Sequence, residues 1–492
     1  MIRVVDLFAG PGGLGEGFSS WRDARGAHRF EIAISVEMDV FAHATLRLRA
    51  LRRSFGDEAP DSYDLAVAEA APWSALADRF PTEAARAEAE AVRIELGARE
   101  VVRVRSLIKQ IIPADGGWML VGGPPCQAYS LVGRARNRGN EHYRPSRDRR
   151  HQLYVEYLQI LSDHAPPVFV MENVKGLLSA RVHRSSMFDR IEEDLRDPSV
   201  ALRREGRTVG NGRARYDLFP LVQREGVSPS AASRFVIRSE EHGIPQRRHR
   251  VILVGIRSDL PKLESTLIPS ESRIAVGEAL AGLPRLRSGL SSALDSGAAW
   301  LECVRSAQSA GWVKEVDGAL ADRIRALAGG ISVPRADRGA EYLPRRSGPP
   351  ILNHATRGHM ASDLHRYLFA SAFALARGMS PSLRDFPKSL LPAHLNVRAA
   401  LEGGLFADRF RVQVKSQPST TVASHISKDG HYYIHPDPTQ CRSLTVREAA
   451  RLQTFPDDYF FCGPRTAQYH QVGNAVPPML AQQIAGIVAG LF

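Results

Sequence analysis

The chain has 492 residues, 43% hydrophobic and 24% charged, the balance of a folded globular protein rather than a disordered one. Its 65 Lys and Arg against 53 Asp and Glu leave a formal charge of +12, which favours a polyanionic partner. Four cysteines without a CxxC pair argue against a disulfide framework, and no apolar run approaches the ~18 residues that span a bilayer.

Asp6 interrupts the first apolar run too early for a signal peptide, so a cytoplasmic location without membrane contact is expected. Residues 3–8 form a short strand-like run that Ala9-Gly10-Pro11-Gly12-Gly13 breaks. Residues 31–36 form a second, closing on Glu37, and Asp39 caps a helical stretch to about residue 53. This βαβ opening predicts an α/β fold with a parallel sheet. Residues 56–100 are rich in Ala, Glu and Arg at helical spacing and read as an inserted, solvated helical excursion. Strands are expected again at 118–121, 168–171 and 251–254, short apolar runs suited to burial on both faces.

After residue 257 the alternation stops. Residues 258–440 read as irregular, rich in Pro, Ser, Gly and Arg, and helices return at 445–453 and 479–491. The expected organisation is a first domain over 1–257 carrying the 56–100 insertion, a second over 258–440, and a return of the chain to the first over 441–492. His431, His435 and Cys441 lie close enough in sequence to consider a metal, but a turn-rich strand region explains them equally, and no metal is expected.

Four blocks carry chemistry. The turn from Asp6 to Gly15 lets backbone approach a ligand, and Glu37 ends the next strand where a carboxylate can accept both hydroxyls of a ribose. These two features fit a dinucleotide dehydrogenase almost as well. Gly122-Gly123-Pro124-Pro125-Cys126-Gln127 follows a buried strand, and its prolines and polar sequel place the Cys126 thiol at a loop edge. Glu172-Asn173-Val174 follows another strand, so the acid faces the same end of the sheet. In Gln246-Arg247-Arg248-His249-Arg250, alternation sets Gln246, Arg248 and Arg250 on one side and Arg247 and His249 on the other.

Together with Arg442-Ser443-Leu444-Thr445-Val446-Arg447-Glu448-Ala449-Ala450-Arg451-Leu452-Gln453 and Gly473-Asn474-Ala475-Val476-Pro477-Pro478, these blocks resemble the DNA (cytosine-5)-methyltransferase family of bacterial restriction–modification systems. They fall in the family's order and cover roughly residues 1–257 and 415–492. The resemblance implies a Rossmann-like, S-adenosylmethionine-dependent methyltransferase fold over 1–257, closed by 441–492. It also implies a smaller target-recognition domain over 258–440, where Asn353-His354-Ala355-Thr356-Arg357, Ser419-Thr420-Thr421 and Asp429-Gly430-His431-Tyr432-Tyr433-Ile434-His435-Pro436 look like family segments.

By the same resemblance Cys126 is the nucleophile that adds to C6 of a flipped cytosine, Glu172 meets N3 and the amine, and Arg250 binds O2 with Arg248 in support. S-adenosylmethionine, leaving as S-adenosylhomocysteine, would be held by Phe8, Gly10, Gly12, Gly13, Leu14, Glu37, Met38, Pro125, Leu153, Asn474 and Val476. The acid that usually meets the adenine amine has no clear counterpart near residues 104–108, where Ser106 is the candidate. The arginine-dense loop after Cys126 suits a phosphate clamp, with Gln127, Ser130, Arg134 and Arg136 as the DNA contacts. Expected partners are double-stranded DNA and a restriction endonuclease acting on the same site, with the chain a monomer. A dehydrogenase gives no role to Cys126 or to residues 246–250. A catalytically silent DNA-binding relative would lack Cys126, Glu172 or Arg250. A transfer-RNA cytosine methyltransferase shares the chemistry, but the long 258–440 section favours reading a duplex.

Overall fold

The computed structural model describes residues 1–97, 100–113, 117–125, 149–182, 185–209, 214–223, 226, 228, 231–291, 294–337, 342–343, 351–393, 397, 401–402 and 407–492. Strands β1 (Ile2–Leu7), β2 (Phe30–Glu37), β3 (Ala91–Arg93), β4 (Trp118–Gly122) and β5 (Val168–Val174) pair in the order β3-β2-β1-β4-β5, every neighbour parallel. Beyond them come β6 (Tyr216–Phe219), β7 (Val236–Arg238) and β8 (His249–Arg257). β8 runs antiparallel to β5, and β6 and β7 pair antiparallel with its two halves.

Alternate side chains of these strands enter two separate cores. Leu120, Phe169, Met171 and Leu253 pack beneath helices α6 (Val101–Ile111) and α7 (Arg149–His164). Met119, Val121, Val168, Val170, Ile252 and Val254 pack with α1 (Gly13–Ser20) and the C-terminal α13 (Pro478–Val488). Burial on both faces is why the central strands read as unbroken apolar runs rather than alternating ones. α2 (Val40–Ser54) starts at Asp39, whose carboxylate accepts from the Phe41 and Ala42 N–H groups at 3.0 and 2.8 Å.

The structure revises three expectations. The inserted excursion is helical, as α3 (Asp61–Ala68), α4 (Trp73–Arg79) and α5 (Pro81–Glu90), but it ends at Glu90, because Ala91–Arg93 pairs with β2 as the sheet's edge strand. It is also solvated on one side only: Tyr63, Val67, Leu76, Ala84 and Ala87 form a buried cluster with Leu48 and Leu51 of α2. Second, Ser106 lies inside α6, well past β3, and does not line the cavity described below. Third, the 258–440 section is not irregular throughout. Helices α8 (Gly297–Arg305), α9 (Gly318–Gly330) and α10 (Ala361–Arg377) enclose a core of Trp300, Ile324, Tyr367 and Phe369.

The chain returns through α11 (Val446–Leu452) and α12 (Arg465–Asn474) before α13. His431 meets the Tyr367 hydroxyl at 2.7 Å and His435 lies 3.5 Å from Glu448, so both are satisfied core histidines. The strand order reverses between β1 and β4, and the carboxyl ends of β1, β2, β4 and β5 open on one crevice, where α/β sheets bind ligands.

Candidate active site

The crevice is a cavity of about 660 Å³. At one end lies the turn after β1, where Gly10 and Gly12 take φ values of +57° and +92° that favour glycine. Phe8 shares this left-handed region at +58°, uncommon for an aromatic residue, and lines the cavity. The Glu37 carboxylate braces the turn from the end of β2. It accepts from Gly10 N–H at 2.9 Å and from Met38 and Asp39 N–H at 2.8 Å each.

The opposite wall comes from the far end of the sequence. A Cβ on Gly13 would fall 2.1 Å from the Val476 carbonyl oxygen, so only glycine allows the turn and the Asn474–Val476 segment to close together. The buried Tyr459 hydroxyl donates to the Pro11 carbonyl, and the Arg49 guanidinium lies 4.9 Å over the Tyr459 ring while pairing with Asp458 at 3.0 Å. Behind the turn, burial pushes the Asp6 carboxyl up to about 8, opposed by the Gly15 N–H.

At the other end Glu172 on β5 and Arg250 on β8 form an ion pair at 2.8 Å, with side chains only 14% and 13% exposed. Arg248, fully buried, donates to the Val422 carbonyl at 2.8 Å and the Gly473 carbonyl at 3.1 Å. Burial drives both guanidiniums down from their ordinary range, and Glu172 opposes it. Two cations therefore share one carboxylate, and this end of the cavity favours an anion or an electron-rich oxygen. Asn173 donates to the Pro124 carbonyl at 3.1 Å, which fixes the chain just before Pro125.

Of the residues singled out in the sequence, Phe8, Gly10, Gly13, Leu14, Glu37, Met38, Pro125, Leu153, Glu172, Arg248, Arg250, Asn474 and Val476 all line this cavity. Gly12 does not: it turns the chain behind the wall, against Leu46 and Tyr459. Cys126, Gln127, Ser130, Arg134 and Arg136 lie outside the described residues. The sequence reading missed Asp39, Phe41, Asn173 and the α12 face formed by Thr466, Ala467, His470 and Gln471. The Gly463-Pro464 pair that precedes α12 was the available signal for that helix.

A profile of the C-5 cytosine-specific DNA methylase family matches residues 104–197 and 393–489. Type II methyltransferase M.Bpa9945I of Bacillus paralicheniformis is 32% identical over 510 residues, covering 99% of this chain and 98% of that protein. The chain belongs to the C-5 cytosine-specific DNA methylase family. Type II methyltransferase M.DdeI of Desulfomicrobium norvegicum is 26% identical over 76% of this chain and 72% of its own. DNA (cytosine-5-)-methyltransferase M.ApeKI of Aeropyrum pernix is 25% identical over 75% and 81%. A solved E. coli prophage structure described as a DNA modification methyltransferase shares the fold at a TM-score of 0.51 and 18% identity, covering 100% of this chain and 99% of that one. This methyltransferase is thus a DNA (cytosine-5-)-methyltransferase with a Rossmann-like α/β sheet.

Proposed function

We propose that this enzyme methylates carbon 5 of one cytosine within a specific duplex sequence, using S-adenosylmethionine, with the base flipped out and joined transiently to Cys126. The observation that carries the reading is the Glu172–Arg250 pair at 2.8 Å opening on the same cavity as the Glu37-braced glycine turn. The cavity fits the cofactor: nothing lies within 4 Å of where a Cβ on Gly10 would stand, so the turn leaves open space, and a fixed carboxylate stands at the end of β2 for a ribose. Phe8, Leu14, Met38 and Leu153 would supply its apolar contacts, and Asn474 and Val476 the opposite wall. S-adenosylmethionine supplies a methyl group on a positively charged sulfur and leaves as S-adenosylhomocysteine.

The residues then divide the work on cytosine. Carbon 5 is a poor nucleophile until a thiolate adds to carbon 6, and Cys126, directly after Pro125, is the residue for that bond. Glu172 would hold a proton at N3 and so draw electrons away from carbon 6, while Arg250 donates to O2 and Arg248 anchors the strand behind it. After methylation, loss of the carbon 5 proton restores the ring double bond and releases the thiolate. A base inside a stacked duplex cannot reach this cavity, so flipping is required.

Residues 258–440 would read the sequence, while 1–257 and 441–492 form the catalytic unit. Relatives named Type II methyltransferases support a role in protecting DNA from an endonuclease of the same specificity. The test has two steps. Mapping 5-methylcytosine in DNA from expressing cells defines the site, and a duplex carrying 5-fluorocytosine there is then incubated with enzyme and S-adenosylmethionine. A denaturation-resistant adduct on the Cys126 peptide is expected. An enzyme that methylates the normal duplex yet forms no such adduct contradicts the covalent route.

A further inference from the structure

Among the described residues lining the cavity, three carry basic side chains: Arg248, Arg250 and His470. The first two are committed, Arg248 to the Val422 and Gly473 carbonyls and Arg250 to Glu172. His470 is exposed, and among the described residues its ring meets a neutral group, the Ser427 hydroxyl, at 2.7 Å. It belongs to a stripe: Thr466, His470 and Asn474 recur every four residues on α12, so they stand one turn apart on a single face, and all three line the cavity. His470 is thus one helical turn before Gly473 and Asn474, where the wall closes against Gly13 through Val476.

The cofactor proposed above carries one carboxylate, on its amino-acid end. Glu37 and Asp39, which line the same cavity, repel that group, so among the described lining residues His470 is the basic side chain free of an acidic partner that can receive it. We infer that His470 donates a hydrogen bond to the carboxylate of the cofactor's methionine moiety, with Thr466 and Asn474 forming the polar track along which that moiety lies. Ser427, near the end of the 258–440 section, would hold the imidazole at the mouth of the cavity. This rests on the S-adenosylmethionine reading.

Calorimetric titration separates the two claims. The wild-type enzyme is titrated with S-adenosylhomocysteine and with 5′-methylthioadenosine, which keeps the nucleoside and sulfur but lacks the carboxylate and amine. Binding of neither compound would refute the cofactor reading itself. If wild type binds both, His470→Ala should weaken S-adenosylhomocysteine about tenfold, the scale of a hydrogen bond to a charged group, and leave 5′-methylthioadenosine unchanged. His470→Gln, which keeps an N–H donor, should recover most of the loss. Equal weakening of both ligands, or no weakening of either, overturns the assignment. So does a variant whose duplex DNA affinity falls while S-adenosylhomocysteine binds normally, which would place His470 on a phosphate.

Discussion

Gly13→Ala is the sharpest test of how the two ends of the chain build one cavity. The new methyl would sit 2.1 Å from the Val476 carbonyl oxygen, closer than any Cβ contact tolerates, so turn and wall must separate by about 1 Å. Overpacking of this kind costs about 1–3 kcal/mol. Gly17, one turn further along α1, makes the matching control. Its Cβ would fall 2.3 Å from the Pro478 carbonyl oxygen and 2.4 Å from the Ala481 methyl, on the same seam but away from the cavity lining. Both variants should lower the thermal midpoint by a similar amount. Only Gly13→Ala should also weaken S-adenosylhomocysteine, roughly tenfold if a little over 1 kcal/mol of the cost falls on the bound state. Thermal unfolding and calorimetry on both proteins decide it. Wild-type affinity in Gly13→Ala, or an equal affinity loss in Gly17→Ala, would refute the view that this contact sets the cavity's shape.

Glu172→Gln keeps the side chain's size but leaves Arg248 and Arg250 without their shared carboxylate, and single-turnover methylation should slow by about 10²–10⁴-fold. An unchanged rate would remove Glu172 from the chemistry. Tyr459→Phe deletes the donor to the Pro11 carbonyl, and urea unfolding should show a loss of about 1 kcal/mol with cofactor affinity falling a few-fold. Burial lowers His354 and His435 to about 4, whereas an unfolded chain binds those protons near pH 6.5. The contribution of these two histidines is therefore full above about pH 6.5 and falls towards pH 4, by about 1.4 kcal/mol per pH unit for each, while Asp6, raised to about 8, offsets part of that loss over the same range. Depression of Glu448 beside Arg442 extends the loss below about pH 4.5. Denaturant titrations at pH 7, 6 and 5 would show it, and His435→Gln should flatten the slope.

Much of the sheet was legible because its strands are buried on both faces: residues 118–121 and 251–254 could hardly be anything else, and Asp39 announces α2 by the capping chemistry it performs. β3 has three residues and no pattern of its own, since pairing with β2 imposes its extension. α10 escaped notice because its packing buries Asp363, Arg366 and Ser371 among its apolar residues, which interrupts the pattern that hydrophobicity alone would show. α12 was hidden for the opposite reason. Its sequence is polar, yet Gln468 and Gln471 are buried, spending their amides on the Gly463 and Cys462 carbonyls at 2.9 Å each. Hydrophobicity cannot register residues that go inside to make hydrogen bonds, and so Thr466, Ala467, His470 and Gln471 of α12 went unread while Asn474 at its end, the glycine turn, Glu37, Glu172 and Arg250 did not.

The contact between Gly13 and Val476 joins positions more than four hundred residues apart. A growing polypeptide emerging from a ribosome could fold β1 and its turn early, yet the cavity would stand open on one side until α12 and Val476 had appeared. A polypeptide stopped before α12 would keep the glycine turn yet lack the wall that Val476 closes against it, however well its N-terminal half had folded.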